Sequence, residues 1–365
     1  MGGKDVWHLF SSMFVCFVVA ITLSSSISYN IVQPLILESK LVTFGRYSFA
    51  NEAIETIAND DSPSVVGIGS SMIFKAFDGE CMGGLSSVDG AKFYNLGIPA
   101  SRPYTDMMQI PQLSRTNVDV VVLEVGTNLL FKMTDGPHEY LEFRFTLQTM
   151  LQDDSDLGEW VDLVLPYHQR WLYLNEYERT EARQSWMIEA ADVTLERLLK
   201  ADNDDNIEFR FLPEPGTKEW SEYLQKPGWP ASVIDKKTPS ELEEYNETVL
   251  KVKSSYKPLQ NGTRNHDALD YIISELTNSG IKVILLGLPH HPLKYPYLEP
   301  GQWDGYNHTI HSLSEKYDAD VVDFTFEQRD GWNYQHFSDG NHLDDEGRLE
   351  FCQRMTPILN AALNS

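Results

Sequence analysis

Asp339 and His342 stand three residues apart in FSDGNHLDDEGRLEF, immediately before a stretch of helical character. On a tight turn, a carboxylate at that spacing can fix one imidazole tautomer and leave the other ring nitrogen available as a base. Asp344 or Asp345 could cap the helix that follows. The rival chemistry for an Asp–His pair is a metal site, and the lack of another obvious Cys/His cluster weakens it. Neither a metal nor a cofactor is expected. GIGSSM, residues 67–72, could supply a nucleophile: its serines follow a short β-branched run and open an amphipathic stretch, SSMIFKAF. A serine there sits where strand ends face the crevice of an open α/β sheet, beside unpaired N–H groups at a helix start. The plainer reading is a turn closed by an N-cap serine.

Two further segments end on small or amide residues. In YNLGIPAS, Gly97 lets the backbone approach a ligand and offers an N–H, or it is a plain turn glycine. In VVLEVGTNLL, Asn128 could donate its side-chain NH₂ into the same crevice, or merely shape a loop. His290 and His291, in LLGLPHHPLKYP, follow another apolar run and could line the rim against substrate. Their alternative is a Pro-bounded loop whose imidazoles bond to backbone or water.

The elements around these residues follow a regular rhythm. SVVGIG, VDVVVLEVG, KVILLGLP and ADVVDF are short, continuous apolar runs, the pattern of strands buried on both faces. AKFYNLGIPAS adds a further short strand running into a turn. Helical patterns, HDALDYIISELTNSG and GYNHTIHSLSEKYD, lie between the later runs. Strands alternating with helices predict an α/β fold with a central parallel sheet. Residues 136–265 break the rhythm and read as a mostly helical insertion, with a long helix over 176–200 and then Pro- and Trp-rich sequence. Its tryptophans, Trp160, Trp171, Trp186, Trp220 and Trp229, suit an interface or the insertion's own core.

Taken in order, the four segments resemble the SGNH (GDSL-like) hydrolase superfamily: Ser in the first block, Gly in the second, Asn in the third, and Asp-x-x-His near the C-terminus. The matching residues are Ser71, Gly97, Asn128, Asp339 and His342, over residues 62–131 and 280–355. The resemblance implies a three-layer α/β/α sandwich of the flavodoxin-like kind. It implies a Ser71–His342–Asp339 triad, with an oxyanion hole from the Ser71 and Gly97 N–H groups and the Asn128 side chain. Two positions depart from the pattern. Ser70 stands where the Gly-Asp-Ser motif has Asp, and Leu129 stands where the third block often has Asp. Gly-Ser-Ser behind an N-terminal apolar segment is similar to membrane-bound relatives that O-acylate cell-envelope polymers. The implied activity is therefore a serine esterase or O-acyltransferase acting on an acyl ester of an extracytoplasmic glycan or lipid. A multi-spanning membrane O-acyltransferase would be a fitting partner. A non-catalytic glycan- or lipid-binding protein that kept the fold is the alternative class.

Residues 1–29 read as a signal anchor: WHLFSSMFVCFVVAITLSSSI carries no acidic or strongly basic residue and is long enough to cross a bilayer. Lys4 before it, and no Lys or Arg after it until Lys40, favour an extracytoplasmic bulk. A cleaved signal peptide ending near Ser24–Ser26 is the competing reading. Residues 30–60 follow as a juxtamembrane connector and helix, and 61–365 as the hydrolase-like domain. Sequons at Asn246, Asn261 and Asn307 suit export but arise often by chance. Of three cysteines, Cys16 falls in the apolar segment, while Cys81 and Cys352 could pair in an oxidising space. The formal net charge of −25 over 365 residues excludes nucleic acid as a natural partner, because phosphate binding needs a cationic footprint.

Overall fold

The computed structural model describes residues 3–32, 46–99, 101–126, 213–228, 240, 244, 264–292, 295 and 300–365. The chain forms two compact units, one of Met1–Ser48 with Thr146–Phe211, the other of Phe49–Phe145 with Leu212–Ser365.

In the first unit, α1 (Gly3–Ile27) is 25 residues long. At about 1.5 Å per residue it exceeds the hydrocarbon thickness of a bilayer. Phe10–Ile27 is long and apolar enough to span a membrane. Trp7, Phe10, Phe14 and Phe17 are all more than 60% exposed, so this helix turns its bulky apolar side chains outward.

The second unit is built on five parallel strands: β1 (Ser64–Ile68), β2 (Lys92–Asn95), β3 (Val120–Glu124), β4 (Lys282–Gly287) and β5 (Asp320–Asp323). Their order is β2-β1-β3-β4-β5, with Val65 opposite both Phe93 and Val120, and Leu285 opposite Leu123 and Val321. The expected parallel α/β sheet is thus present. The apolar runs follow from burial of both faces. Val65, Val120, Val122, Ile284, Leu286 and Val322 join one core cluster, and the alternating positions Val66, Ile68, Val121, Leu123, Val283 and Leu285 are equally buried.

Helices connect and cover the strands. These are α2 (Arg46–Ala58), α3 (Ser71–Ala76), α4 (Gly79–Leu85), α5 (Lys218–Gln225), α6 (Arg264–Asn278), α7 (Pro300–Tyr317) and α8 (Asp345–Leu363). Helix α6 buries Leu269, Ile272, Ile273 and Leu276, the i, i+3, i+4, i+7 stripe of an amphipathic helix. Helix α8 puts Phe351, Cys352, Met355 and Leu359 into the cluster under β1, β3, β4 and β5.

The helix expected before residue 60 is α2, and from Phe49 onward it belongs to the α/β unit. Phe49, Ala53, Ile54 and Ile57 of α2 are buried, and Phe49 packs edge-on against Trp220 at 5.5 Å and Tyr223 at 5.3 Å. Trp220 Nε1–H donates to Thr56 Oγ1 at 3.0 Å. Residues 213–228, expected within the insertion, lie in the α/β unit, where Trp220 and Leu224 are buried. Trp160, Trp171, Trp186 and Trp229, the long helix over 176–200, and the sequons at Asn246 and Asn261 lie outside the described residues. The third sequon lies in the middle of α7, where Thr309 is buried and its hydroxyl donates to Gly305 O at 2.9 Å.

Cys81 on α4 and Cys352 on α8 are disulfide-bonded, with Cα atoms 6.3 Å apart across 271 residues of sequence. Ser86 Oγ to Asn360 Oδ1 at 2.7 Å and Arg348 to Asp78 at 3.6 Å hold the same two helices together.

Candidate active site

The site begins at the end of β1. Gly69 has φ +154°, and a Cβ there would lie 2.5 Å from Glu124 Cβ and Oε2, so the strand can leave the sheet here only as glycine. Ser70 is the N-cap of α3: its hydroxyl accepts from Met72 N–H at 3.2 Å and donates to Glu124 Oε1 at 3.0 Å. Both capacities of that hydroxyl are engaged by the turn. Ser71, the first residue of α3, instead has its Oγ 2.8 Å from His342 Nε2. Of the two serines that sequence offered, Ser71 meets the base and Ser70 shapes the turn.

His342 arrives on a loop built for it. Phe337 and Leu343 form an isolated antiparallel bridge, and Ser338 donates to His342 O from both its N–H (2.9 Å) and its hydroxyl (3.2 Å). Asp339 Oδ1 accepts the N–H groups of Asn341 at 2.8 Å and His342 at 2.9 Å, closing an Asx-type turn. Its other oxygen, Oδ2, lies 2.7 Å from His342 Nδ1. Asp344 caps α8 by accepting from Gly347 N–H at 2.9 Å. A Cβ on Gly347 would run into His336 O, which explains the glycine in that turn of helix.

The electrostatics fix the proton positions. Burial alone would raise Asp339, but the hydrogen bond and charge of His342, with the N–H groups of Asn341 and His342, hold its carboxyl well below the usual carboxylate range. An ionised carboxylate only accepts, so Nδ1–H faces Asp339, and in a neutral imidazole Nε2 is left to accept from Ser71 O–H. His342 and Asp339 side chains keep 19% and 17% exposure.

Gly97 lies against α3: a Cβ would come within 2.5 Å of Phe74 N and 2.8 Å of Phe74 Cα. Its N–H donates to Asn95 Oδ1 at 3.0 Å, so service at an oxyanion requires that bond to be shared or exchanged. Asn95 also donates to Phe74 O (3.0 Å) and Phe77 O (2.8 Å), tying the end of β2 to the helix that carries Ser71. Asn128 lies outside the described residues, although β3, which leads to it, ends beside β1. His290 and His291 are 1% and 0% exposed; His291 packs edge-on against Phe337 at 5.4 Å, beneath the loop that bears Asp339.

No family model matches the chain, and no curated protein is significantly similar to it. The site therefore stands on its own geometry.

Sequence reasoning missed three residues that the fold places here. Glu124 is 2% exposed and grips Ser70. Lys75, four residues after Ser71 on the same helical face, is 5% exposed; burial pushes its ammonium down, and the charge of Asp339 counters that. Asp106 is buried close to Glu124, and burial chiefly, with Glu124 adding, pushes it well up. A charged residue at the end of an otherwise apolar strand was the available signal for Glu124.

Proposed function

We propose that this chain is a membrane-anchored serine esterase or O-acyltransferase of the SGNH type, acting on an acetyl or other short acyl ester of an extracytoplasmic glycan or lipid. The observation that carries it is the continuous hydrogen-bonded chain Ser71 Oγ–His342 Nε2 (2.8 Å) and His342 Nδ1–Asp339 Oδ2 (2.7 Å) at the C-terminal ends of a parallel sheet. The strand order β2-β1-β3-β4-β5 suits the flavodoxin-like, three-layer form of that fold.

In the proposed reaction, Ser71 Oγ attacks the ester carbonyl while His342 Nε2 takes its proton, and Asp339 stabilises the imidazolium. Negative charge on the former carbonyl oxygen is held by the Ser71 N–H, the Asn128 side chain, and the Gly97 N–H once exchanged from Asn95. Collapse expels the alcohol, which takes the proton back from His342 and leaves an acyl-Ser71. Water then releases a carboxylic acid, or a glycan hydroxyl accepts the acyl group, with His342 again as base. In the transfer version, a multi-spanning membrane O-acyltransferase would supply the acyl group. His290 and His291, expected at the substrate rim, are buried and take no part in this scheme.

The test is direct. The full chain in detergent should hydrolyse p-nitrophenyl acetate and take one fluorophosphonate label, at Ser71. Ser71→Ala should abolish both and Ser70→Ala should not. Turnover or labelling that survives Ser71→Ala removes the nucleophile, and with it this reading.

A further inference from the structure

Glu124 is a buried carboxylate that the triad does not use. It ends β3 beside β1, where the strand order reverses direction. Its Oε2 accepts Ser70 N–H at 2.6 Å and its Oε1 accepts Ser70 Oγ–H at 3.0 Å. One side chain thus fixes both the main chain and the hydroxyl of the residue before Ser71. Ser70 Oγ then accepts Met72 N–H at 3.2 Å, carrying the restraint past Ser71 to the other side. The fit is close: with a Cβ, Gly69 would sit 2.5 Å from Glu124 Oε2. Ser71 is therefore bracketed by two peptide groups that both answer to Glu124.

A buried carboxylate is expensive unless donors surround it, and an apolar residue of similar volume would fill the same space at lower desolvation cost. Burial raises Glu124, while the Ser70 donors and the nearby Arg102 guanidinium oppose that. Arg102 lies near Asp106 as well. What the carboxylate provides that a leucine could not is a directional hold on the Ser70 peptide.

We propose that Glu124 is the positioning residue of the nucleophile, acting through Ser70 to hold Ser71 Oγ at hydrogen-bond distance from His342 Nε2. This rests on the reading of Ser71 as nucleophile. It assigns a function to the serine that stands before Ser71, as one half of a Ser70–Glu124 clamp.

The experiment uses the full chain in detergent, with Glu124→Gln, Ser70→Ala and the double variant. Each is measured for p-nitrophenyl acetate kcat and KM, fluorophosphonate labelling rate, and the ¹⁵N signal of His342 Nε2 without substrate. Glu124→Gln keeps an acceptor for Ser70 N–H but removes the acceptor for Ser70 Oγ–H. Each single variant should lower kcat and labelling about 10-fold with KM within about 2-fold, since small displacements of a reacting atom are costly. The double variant should be no worse than the weaker single, because both cut one linkage. The Nε2 signal should move in every variant as the Ser71 hydrogen bond weakens. Ser70→Ala removes a single oxygen, so it decides the matter if Glu124→Gln fails to fold. Wild-type kcat with an unmoved Nε2 signal in Ser70→Ala overturns the clamp. A wild-type chain that takes no label, while Nε2 still shifts in the variants, overturns the esterase reading and leaves the clamp standing.

Discussion

Asp339 shows how much one carboxylate can do when each of its oxygens is engaged. Oδ1 closes the turn by taking two backbone N–H groups, and Oδ2 holds the imidazole. Because its folded pKa is depressed, Asp339 contributes stability above its unfolded value of about 4 and loses it as pH falls through the folded value. Asp339→Asn should therefore lower Tm at neutral pH, with the gap from wild type closing progressively below about pH 4. A Tm difference constant from pH 3 to 8 would contradict the depressed pKa. The same variant should lower kcat by about 10⁴-fold through loss of the imidazole tautomer. Gly97→Ala makes a separate point about space. Its methyl would press on the Phe74 backbone, so α3 must move away from β2, at roughly 1–3 kcal/mol of stability. Chemical denaturation should show that loss, and an unchanged midpoint would mean the contact yields freely. The Asp-x-x-His spacing was legible in sequence because its whole geometry is local. The choice between Ser70 and Ser71 became physical only when Glu124, 54 residues from Ser70, engaged the first and left the second to His342.

At the scale of elements, the strands were the easiest to read. VDVVVLEVG and KVILLGLP needed both faces buried, and a parallel sheet is the structure that does so. The role of α5 was not legible. Trp220 packs on Phe49 across a gap of 171 residues, and no periodicity reports a pairing of that range. The disulfide has the same character. Sequence offered Cys81 and Cys352 only as candidates, while the fold brings α4, next to the Ser71 helix, against α8, next to the His342 loop. The bond closes a long loop between the two halves of the site, and losing it should cost roughly 2–5 kcal/mol. In denaturant without reductant, a maleimide probe should modify Cys16 alone, and after reduction all three cysteines. Three modified thiols before reduction would show that the bond does not form. Cys81→Ala should lower Tm, although Cys81 lies on α4 and not on a segment that carries the triad.

For the molecule as a whole, the acidic chain and the apolar helix pull toward different solvents. A net charge of −25 keeps the soluble mass dispersed, and α1 exposes Phe10, Phe14, Val15 and Phe17 to whatever surrounds it. Water is a poor environment for those side chains; lipid removes the cost at about 25 cal/mol per Å². A retained anchor and a cleaved signal both begin with such a helix, and they differ in what remains of the mature chain. With an anchor, the mature protein keeps its first residues, sediments with membranes, resists an alkaline carbonate wash and needs detergent for release. With cleavage near Ser24–Ser26, the mature chain would begin beyond that point and appear in the aqueous fraction. The length of the apolar segment Phe10–Ile27 favours the anchor, and the disulfide in the α/β unit suits an oxidising compartment. N-terminal sequencing of the native protein, paired with the carbonate wash, decides between them: a mature start near residue 27 in the soluble fraction would remove the anchor. Ser71, His342 and Asp339 would remain in place, but their substrate would no longer have to lie within reach of a membrane.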